Sequence, residues 1–309
     1  MEKGLVSIIT PCLNGEKYLD RYFMSILAQT YRPLELIFVN DGSTDNTEEI
    51  ANKYKKQLEE SNISFIYLYQ KNSGQAAALN KGLKFFNGEY LTWPDSDDEM
   101  KPNCIEKKVK FLNENKNLDM CICKVEEIDS DTNKTIGIYE RILPKTENLF
   151  EDLIFIKNVF FIPGGYMVRG NVIDEVIKNR EIYTGPGGQN CQLLLPIAYR
   201  KKIGYINEVL YNYYVRNESH SHSINTAEKV ICQLKNYIDI LTDTIQRMNI
   251  DDGEIYIKKI KKNYSHQIFG NAIDSKNKLL IKESFHILVK NKAITLTEIL
   301  LFVKYYIFK

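Results

Sequence analysis

The stretch Leu34-Glu35-Leu36-Ile37-Phe38-Val39-Asn40-Asp41-Gly42-Ser43-Thr44-Asp45 passes abruptly from an apolar run into an acidic, glycine-containing one. The run is too short for a typical helix and is closed by turn residues, so it reads as a buried strand. Ser43 or Thr44 can then cap a helix from about Asp45 to Glu60. Upstream, Leu5–Thr10 is a second apolar strand ended by Pro11, and Leu19, Phe23, Ile26 and Leu27 recur at helical spacing between Tyr18 and Thr30. Downstream come a strand at Phe65–Tyr69, a helix at Gly74–Phe86 after the turn Asn72-Ser73-Gly74, and a strand at Tyr90–Trp93 stopped by Pro94. Strand and helix alternate at the spacing of successive βαβ units. That predicts an α/β fold with a doubly wound, mostly parallel sheet and flanking helices.

Such sheets bind ligands beyond the carboxyl ends of their strands. Asn14, Asp41, Asn72 and the acidic group Asp95–Asp98 each fall just after a predicted strand, so all are expected at one crevice. Beyond Pro102 the pattern continues with a helix near Ile105–Asn115 and a strand at Met120–Val125, then polar strands and turns to Lys145. Helices are expected at Asn148–Lys157, Asn171–Lys178 and Asn190–Tyr199, strand and loop at Phe160–Val168, and a strand at Leu210–Arg216. After Ser223 the chain reads as amphipathic helices to the end. A domain of residues 1–222 and a helical extension of residues 223–309 follow from that change.

With 309 residues, 44% hydrophobic and 26% charged, the chain can bury a sizeable core. A formal net charge of +1 argues against a dedicated nucleic-acid binder. The six cysteines show no CxxC pairing; they read as buried thiols rather than a zinc site, and reduced thiols suit the cytoplasm. No secretory leader opens the sequence, and no apolar run reaches the roughly 20 residues of a spanning helix.

Chemistry concentrates in Trp93-Pro94-Asp95-Ser96-Asp97-Asp98. Three carboxylates this close repel one another unless a cation holds them. Mg²⁺ or Mn²⁺ takes such oxygen ligands, shares its shell with phosphates, and would neutralise a diphosphate leaving group. The plainer alternative is a solvated acidic turn, and the position directly after a strand favours the metal. In Val39–Thr47, Asp41 at a strand end can accept from a base N–H while Gly42 lets a backbone approach; a tight turn fits the same residues.

Taken in order, these residues resemble the family 2 glycosyltransferases, which have the GT-A fold. The resemblance runs through Val6–Pro11 with Asn14, Ser25-Ile26, Gln29-Thr30-Tyr31, Glu35, Val39–Thr47, Asn72-Ser73-Gly74, Asn80 with Gly82, and Gly88-Glu89-Tyr90 leading to Asp95–Asp98. It covers roughly the first 220 residues. It implies transfer of a sugar from a nucleotide-diphosphate donor, with uridine the expected base, to a glycan or polyprenyl-linked acceptor in surface polysaccharide assembly, with inversion and a Mn²⁺ or Mg²⁺ cofactor. By the same resemblance Asp41 would hold the base, and Thr10, Pro11 and Asn14 would line its pocket. Asn72, Asp95 and Ser96 would complete the donor site, Asp95 facing the ribose. Asp97 would bind the metal, with Asp95, Asp98, His220 and His222 as further candidate ligands and Arg216 near the phosphates.

Two departures stand out. Leu13 replaces the aromatic residue that often precedes Asn14 in the family. More consequentially, the family's catalytic Glu-Asp pair corresponds to Gln189-Asn190 within the expected acceptor loop Gly187-Gly188-Gln189-Asn190. An amide cannot take a proton from an attacking hydroxyl. Glu181 or Asp98 could serve instead, the acceptor could already be ionised, or the chain could be a non-catalytic partner that binds nucleotide sugars. Gln189 and Asn190 would then bind sugar or acceptor through their paired donor and acceptor groups. A nucleotidyltransferase fits less well, because Pro11-Cys12-Leu13-Asn14-Gly15 lacks a glycine-rich phosphate loop with basic residues. The lysine-rich, aromatic C-terminal helices are expected to dock on the catalytic domain or a second subunit, or to lie on an anionic membrane surface.

Overall fold

Glu2–Cys12 forms strand β1, and its side chains from Leu5 onward are buried without alternation, as expected of a strand covered on both faces. In the computed structural model, which describes residues 1–141, 148–185, 188–216 and 226–307, helix α1 (Leu19–Leu27) follows. Strand β2 is Leu34–Asn40, buried at every position as its apolar run predicts. Helix α2 (Thr47–Glu60), β3 (Ile63–Tyr69), α3 (Gln75–Leu83) and β4 (Gly88–Thr92) complete the first half. The strands run β3-β2-β1-β4, all parallel, and Val6 to Cys12 register against Leu34 to Asn40.

Helix α2 starts later than its expected cap. Ser43 and Thr44 are turned to Asn14 instead, and Asp45 Oδ1 accepts from the Thr47 N–H and hydroxyl at the first turn. Phe23 of α1 packs against Phe38, Tyr54 and Phe65, with its ring 4.9 Å from that of Tyr54. Burying each such ring contributes roughly 1.5–3 kcal/mol. Gly82 lets α3 lie directly on β1, since a Cβ there would sit 2.4 Å from Ile9 Cγ2. Buried Glu35 accepts from the Ser7 hydroxyl and from the Asn87 N–H, fixing the entry to β4.

The second half is mixed rather than wholly parallel. It contains β5 (Glu99–Met100), α4 (Cys104–Glu114), β6 (Met120–Asp129), β7 (Thr135–Tyr139), α5 (Leu149–Phe155), β8 (Tyr166–Arg169), α6 (Gly170–Val176), α7 (Gln189–Arg200) and β9 (Ile203–Val215). Among the described residues the sheet has nine strands, continuing β4-β8-β6-β9-β5 with β7 beside β6. Strand β8 runs against both β4 and β6, whereas β6 and β9 are parallel. The predicted strand at Leu210–Arg216 is the last part of the longer β9, whose earlier residues are too polar to show a buried-strand pattern. The cysteines are unpaired; five are buried and Cys232 is exposed.

Met1–Arg216 forms one compact unit and Asn217–Lys309 another. The second contains α8 (Ala227–Met248), α9 (Gly253–Ser275), α10 (Lys278–Lys290) and α11 (Leu296–Phe302), extended by a π-helical turn at Val303–Ile307. Phe285, Phe302 and Tyr306 stack in sequence at 4.1 and 4.8 Å, and Glu298 Oε1 lies 2.7 Å from His266 Nδ1. These contacts turn one face of α11 inward. Leu296, Ile299, Leu300 and Ile307 remain exposed. Among the described residues, no helix is long and apolar enough to cross a membrane. The expected boundary between residues 222 and 223 falls outside the described residues.

Candidate functional site

The loops after β1, β2 and β3 form one hydrogen-bonded set. Asn14, at a positive φ of 53°, accepts at Oδ1 from the Thr44 N–H (2.9 Å), and its own N–H donates to Ser43 Oγ (2.9 Å). The next two amides bind the same loop, Gly15 N–H to Thr47 Oγ1 and Glu16 N–H to Asp45 Oδ2. Gly42, at φ +76°, lets this loop approach Asn72, whose backbone nitrogen would lie 2.5 Å from a Cβ at position 42. Thr10 is buried and its hydroxyl pairs with that of Tyr22. Pro11 lies within β1, in register with Val39.

Asp41 is 2% exposed, and its N–H donates to the Cys12 carbonyl. Its Oδ1 accepts from Gln70 Nε2 (2.7 Å) and the Ser73 N–H (2.9 Å), and its Oδ2 from the Gly74 N–H (2.9 Å). Asp41 thus shapes the Asn72-Ser73-Gly74 turn while retaining acceptor capacity at Oδ2.

The acidic group after β4 divides in two. Asp98 is buried; its Oδ1 accepts from the Tyr214 N–H (2.9 Å) and its Oδ2 from the Tyr211 hydroxyl (3.1 Å), so it anchors β9. Burial, then the neighbouring Asp97 and Asp95, pushes its carboxyl well above the ordinary range. Asp95 and Asp97 are half-buried at the rim. Gln75 Nε2 donates to Asp95 Oδ1 (2.8 Å). Burial first and Asp97 second push the Asp95 carboxyl up to about 7, against the opposing pull of Gln75 and Arg216. Ser96 is also half-buried, and burial raises the nearby Cys12 thiol to about 12.

Two guanidinium groups enclose Asp97. Arg216 pairs with its carboxylate and lies 4.4 Å from the Tyr18 ring centre, while Arg21 donates to its carbonyl (2.5 Å) and stacks 3.4 Å from the Tyr214 ring centre. Among the described residues, the buried Nε atoms of both arginines have no hydrogen-bond partner. Two hard carboxylates with half-buried cationic groups beside them suit a divalent ion and the phosphates it would share. Among the described residues, no three His, Cys, Asp or Glu side chains surround a common point. His220, His222 and Gly187 lie outside the described residues.

Gly188 (φ 70°) precedes α7 and half-buried Gln189 opens it. Asn190 is 8% exposed; its Oδ1 accepts from Trp93 Nε1 (3.2 Å) and its Nδ2 donates to the Phe161 carbonyl (3.1 Å). Buried Gln192 has no partner at either amide atom. Of the two alternative base candidates, Glu181 is exposed and Asp98 is enclosed by β9. Sequence reading missed Gln75, Arg21, Trp93 and Tyr214 as participants. Arg21, next to Asp20 and three residues after Tyr18, carried no signal. Trp93, a large ring capable of donating a hydrogen bond directly before the acidic group, did.

A family model described as Glycosyl transferase family 2 matches residues 7–177, more than half of the sequence. The chain belongs to glycosyl transferase family 2. Among curated family members, it is 29% identical over 80% of its length to an uncharacterized glycosyltransferase, RP339, of Rickettsia prowazekii, and spans 74% of that protein. It is 31% identical to the glycosyltransferase GlyG of Streptococcus pneumoniae, covering 70% of this chain and 72% of that one. An uncharacterized glycosyltransferase of Rickettsia conorii is 33% identical over 67% of this chain, which spans 29% of that longer protein. The GT-A fold is shared with S. aureus TarS 1-349 in complex with UDP-GlcNAc, at a TM-score of 0.61, 17% identity, and coverage of 93% and 88%. It is also shared with the mannosyltransferase PcManGT from Pyrobaculum calidifontis in complex with GDP-Man and Mn²⁺, at a TM-score of 0.55, 14% identity, and coverage of 97% and 78%.

Proposed function

We propose that this family 2 glycosyltransferase transfers a hexosyl or N-acetylhexosaminyl group from a nucleotide-diphosphate sugar, with uridine the preferred base, to a glycan or polyprenyl-linked acceptor. One observation carries the proposal: the Asn14, Asp41 and Asp95–Asp97 loops lie together at the carboxyl ends of parallel β1, β2 and β4. Asp41 would take the base. Thr10, Pro11, Asn14 and Asn72 would form the pocket, and Asp95 and Ser96 would face the ribose. Asp97, with Asp95, would hold Mn²⁺ or Mg²⁺, which when bound stabilises charge on the departing diphosphate. Arg216 would leave Asp97 for the phosphates, and Arg21 would keep the Asp97 backbone in place. Complexes of TarS with UDP-GlcNAc and of PcManGT with GDP-Man and Mn²⁺ support this choice of ligand class.

The transfer belongs to the domain of residues 1–222, inverting by analogy with the family. The helical region of residues 223–309 would meet an anionic membrane that carries the acceptor. Its support is the exposed Leu296, Ile299, Leu300 and Ile307 on a segment that also carries Lys290, Lys292 and Lys304. A donor-binding subunit without transfer activity is the alternative, favoured by the amide at position 190.

Thermal unfolding with nucleoside diphosphates and nucleotide sugars, each with and without Mn²⁺, tests the proposal. Stabilisation that requires both metal and one nucleotide supports it. Absence of any shift across the series overturns it.

A further inference from the structure

Asn190 stands where the family's catalytic carboxylate is expected, and its surroundings select an amide. Trp93 Nε1–H can only donate and the Phe161 carbonyl can only accept, so the two contacts fix which end of the side chain is oxygen and which is nitrogen. The contact with Trp93 is buried and that with Phe161 partly so. An ionised carboxylate would keep the bond from Trp93 but would set a charged oxygen about 3 Å from the Phe161 carbonyl oxygen, with burial adding to the cost.

The two partners belong to different parts of the site. Trp93 directly follows β4 and lies two residues before Asp95, and its ring stacks on that of Tyr166 at 6.1 Å. Phe161 precedes the Pro163-Gly164-Gly165 turn that leads into β8, and the Gly164 carbonyl is itself held by the buried Lys108 ammonium (2.6 Å). Asn190 therefore ties the first turn of α7 to the strand end that carries the acidic group and to the loop entering β8.

We propose that Asn190 is a positioning residue that sets the donor-side strand end against the opposite wall of the site, and that position 190 requires a neutral group able to accept at one end and donate at the other. This rests on the function proposed above. A protonated aspartic acid meets the same requirement, because its C=O and O–H replace the amide's C=O and N–H. An aspartate there would work as a neutral acid and fail as an anion.

The test uses the full chain with Asn190→Asp and Asn190→Ala, compared with wild type at about pH 5 and about pH 8, a range that spans the raised titration of a buried aspartic acid. Trp93 is the one tryptophan in the sequence, so intrinsic emission reports its environment directly. Expected at the higher pH is an Asn190→Asp protein with a lowered melting temperature, red-shifted emission and kcat reduced about tenfold or more, measured where both proteins are fully folded. Its donor KM should stay within about threefold, because the nucleotide-contacting loops are untouched. All three deficits shrink relative to wild type at the lower pH. Asn190→Ala shows no such acid rescue. Wild-type melting temperature and emission for Asn190→Asp at the higher pH would overturn the proposal, as would a gain in transfer rate. If the wild-type chain turns over no nucleotide sugar, the proposed function fails, and melting temperature and emission still decide what position 190 requires.

Discussion

Arg216 is ion-paired with Asp97, so a cation of the protein itself neutralises the carboxylate proposed to receive the metal. A divalent ion would have to displace that guanidinium, and a diphosphate arriving with the ion would give it a new partner. Arg216→Gln is therefore expected to bind Mn²⁺ a few-fold more tightly than wild type without nucleotide, and to lose most of the nucleotide's enhancement of metal binding. Titration of Mn²⁺ by electron paramagnetic resonance, with and without nucleoside diphosphate, reads both effects.

Asp97→Asn removes the charge at a half-buried rim position and leaves the fold in place. Turnover should fall on the order of 100-fold or more, while the melting temperature stays within about 2 °C of wild type. Steady-state release of nucleoside diphosphate and a thermal scan suffice. Unchanged turnover would remove Asp97 from the metal site.

Glu35 acts inside the fold, not at the rim. Replacing it by Ala leaves the buried Ser7 hydroxyl and the partly buried Asn87 N–H without their acceptor. The expected cost is about 1–3 kcal/mol, read from the urea midpoint at an unchanged slope. A midpoint equal to wild type would mean that another group satisfies both donors.

Asp45 links acid stability to the binding loops. Burial raises its pKa, but this is outweighed by the Thr47 hydroxyl and the N–H groups of Glu16 and Thr47, so the carboxyl lies below its usual 3.8. A folded-state pKa below the unfolded one contributes stability above about pH 4, and that contribution is lost as the pH falls through the folded value. Asp45→Asn should therefore be less stable than wild type at neutral pH, with the difference closing as the pH falls through the lowered folded value. A difference that stays constant across the titration would show that the carboxylate charge is not involved.

Leu296→Glu/Leu300→Glu tests the exposed stripe on α11. The wild-type chain is expected to co-sediment with vesicles rich in phosphatidylglycerol and not with neutral ones. The double variant should lose that association with its nucleotide response intact. Equal sedimentation of the two proteins would remove the membrane role.

The parallel half of the fold was legible because its strands are buried on both faces. Leu34–Asn40 is uniformly apolar apart from Glu35 and Asn40, and it ends where the structure ends it. Asn14, Asp41 and Asp95 could be grouped in advance because polar residues after parallel strands share one rim. Strand β9 was only partly visible, since Gly204, Asn207 and Glu208 interrupt its apolar pattern. The reversed direction of β8 has no local signature at all. Asp98 looked equivalent to Asp97 in sequence; only its contacts with β9, more than a hundred residues away, show it to be part of the scaffold. The partnership of Asn190 with Trp93 is likewise a product of tertiary packing.

Strand β8 has a wider consequence. Because it runs against both neighbours, the chain enters it at the end where β4 finishes, so the residues just ahead of it, Phe161 to Gly165, reach the sheet near the strand end that leads to the acidic group. Nothing in the register of β1 to β4 depends on that stretch. It could be exchanged during descent while the loops after β1 to β3 stay as they are, and one scaffold could in this way serve a lineage of enzymes that differ in what they glycosylate.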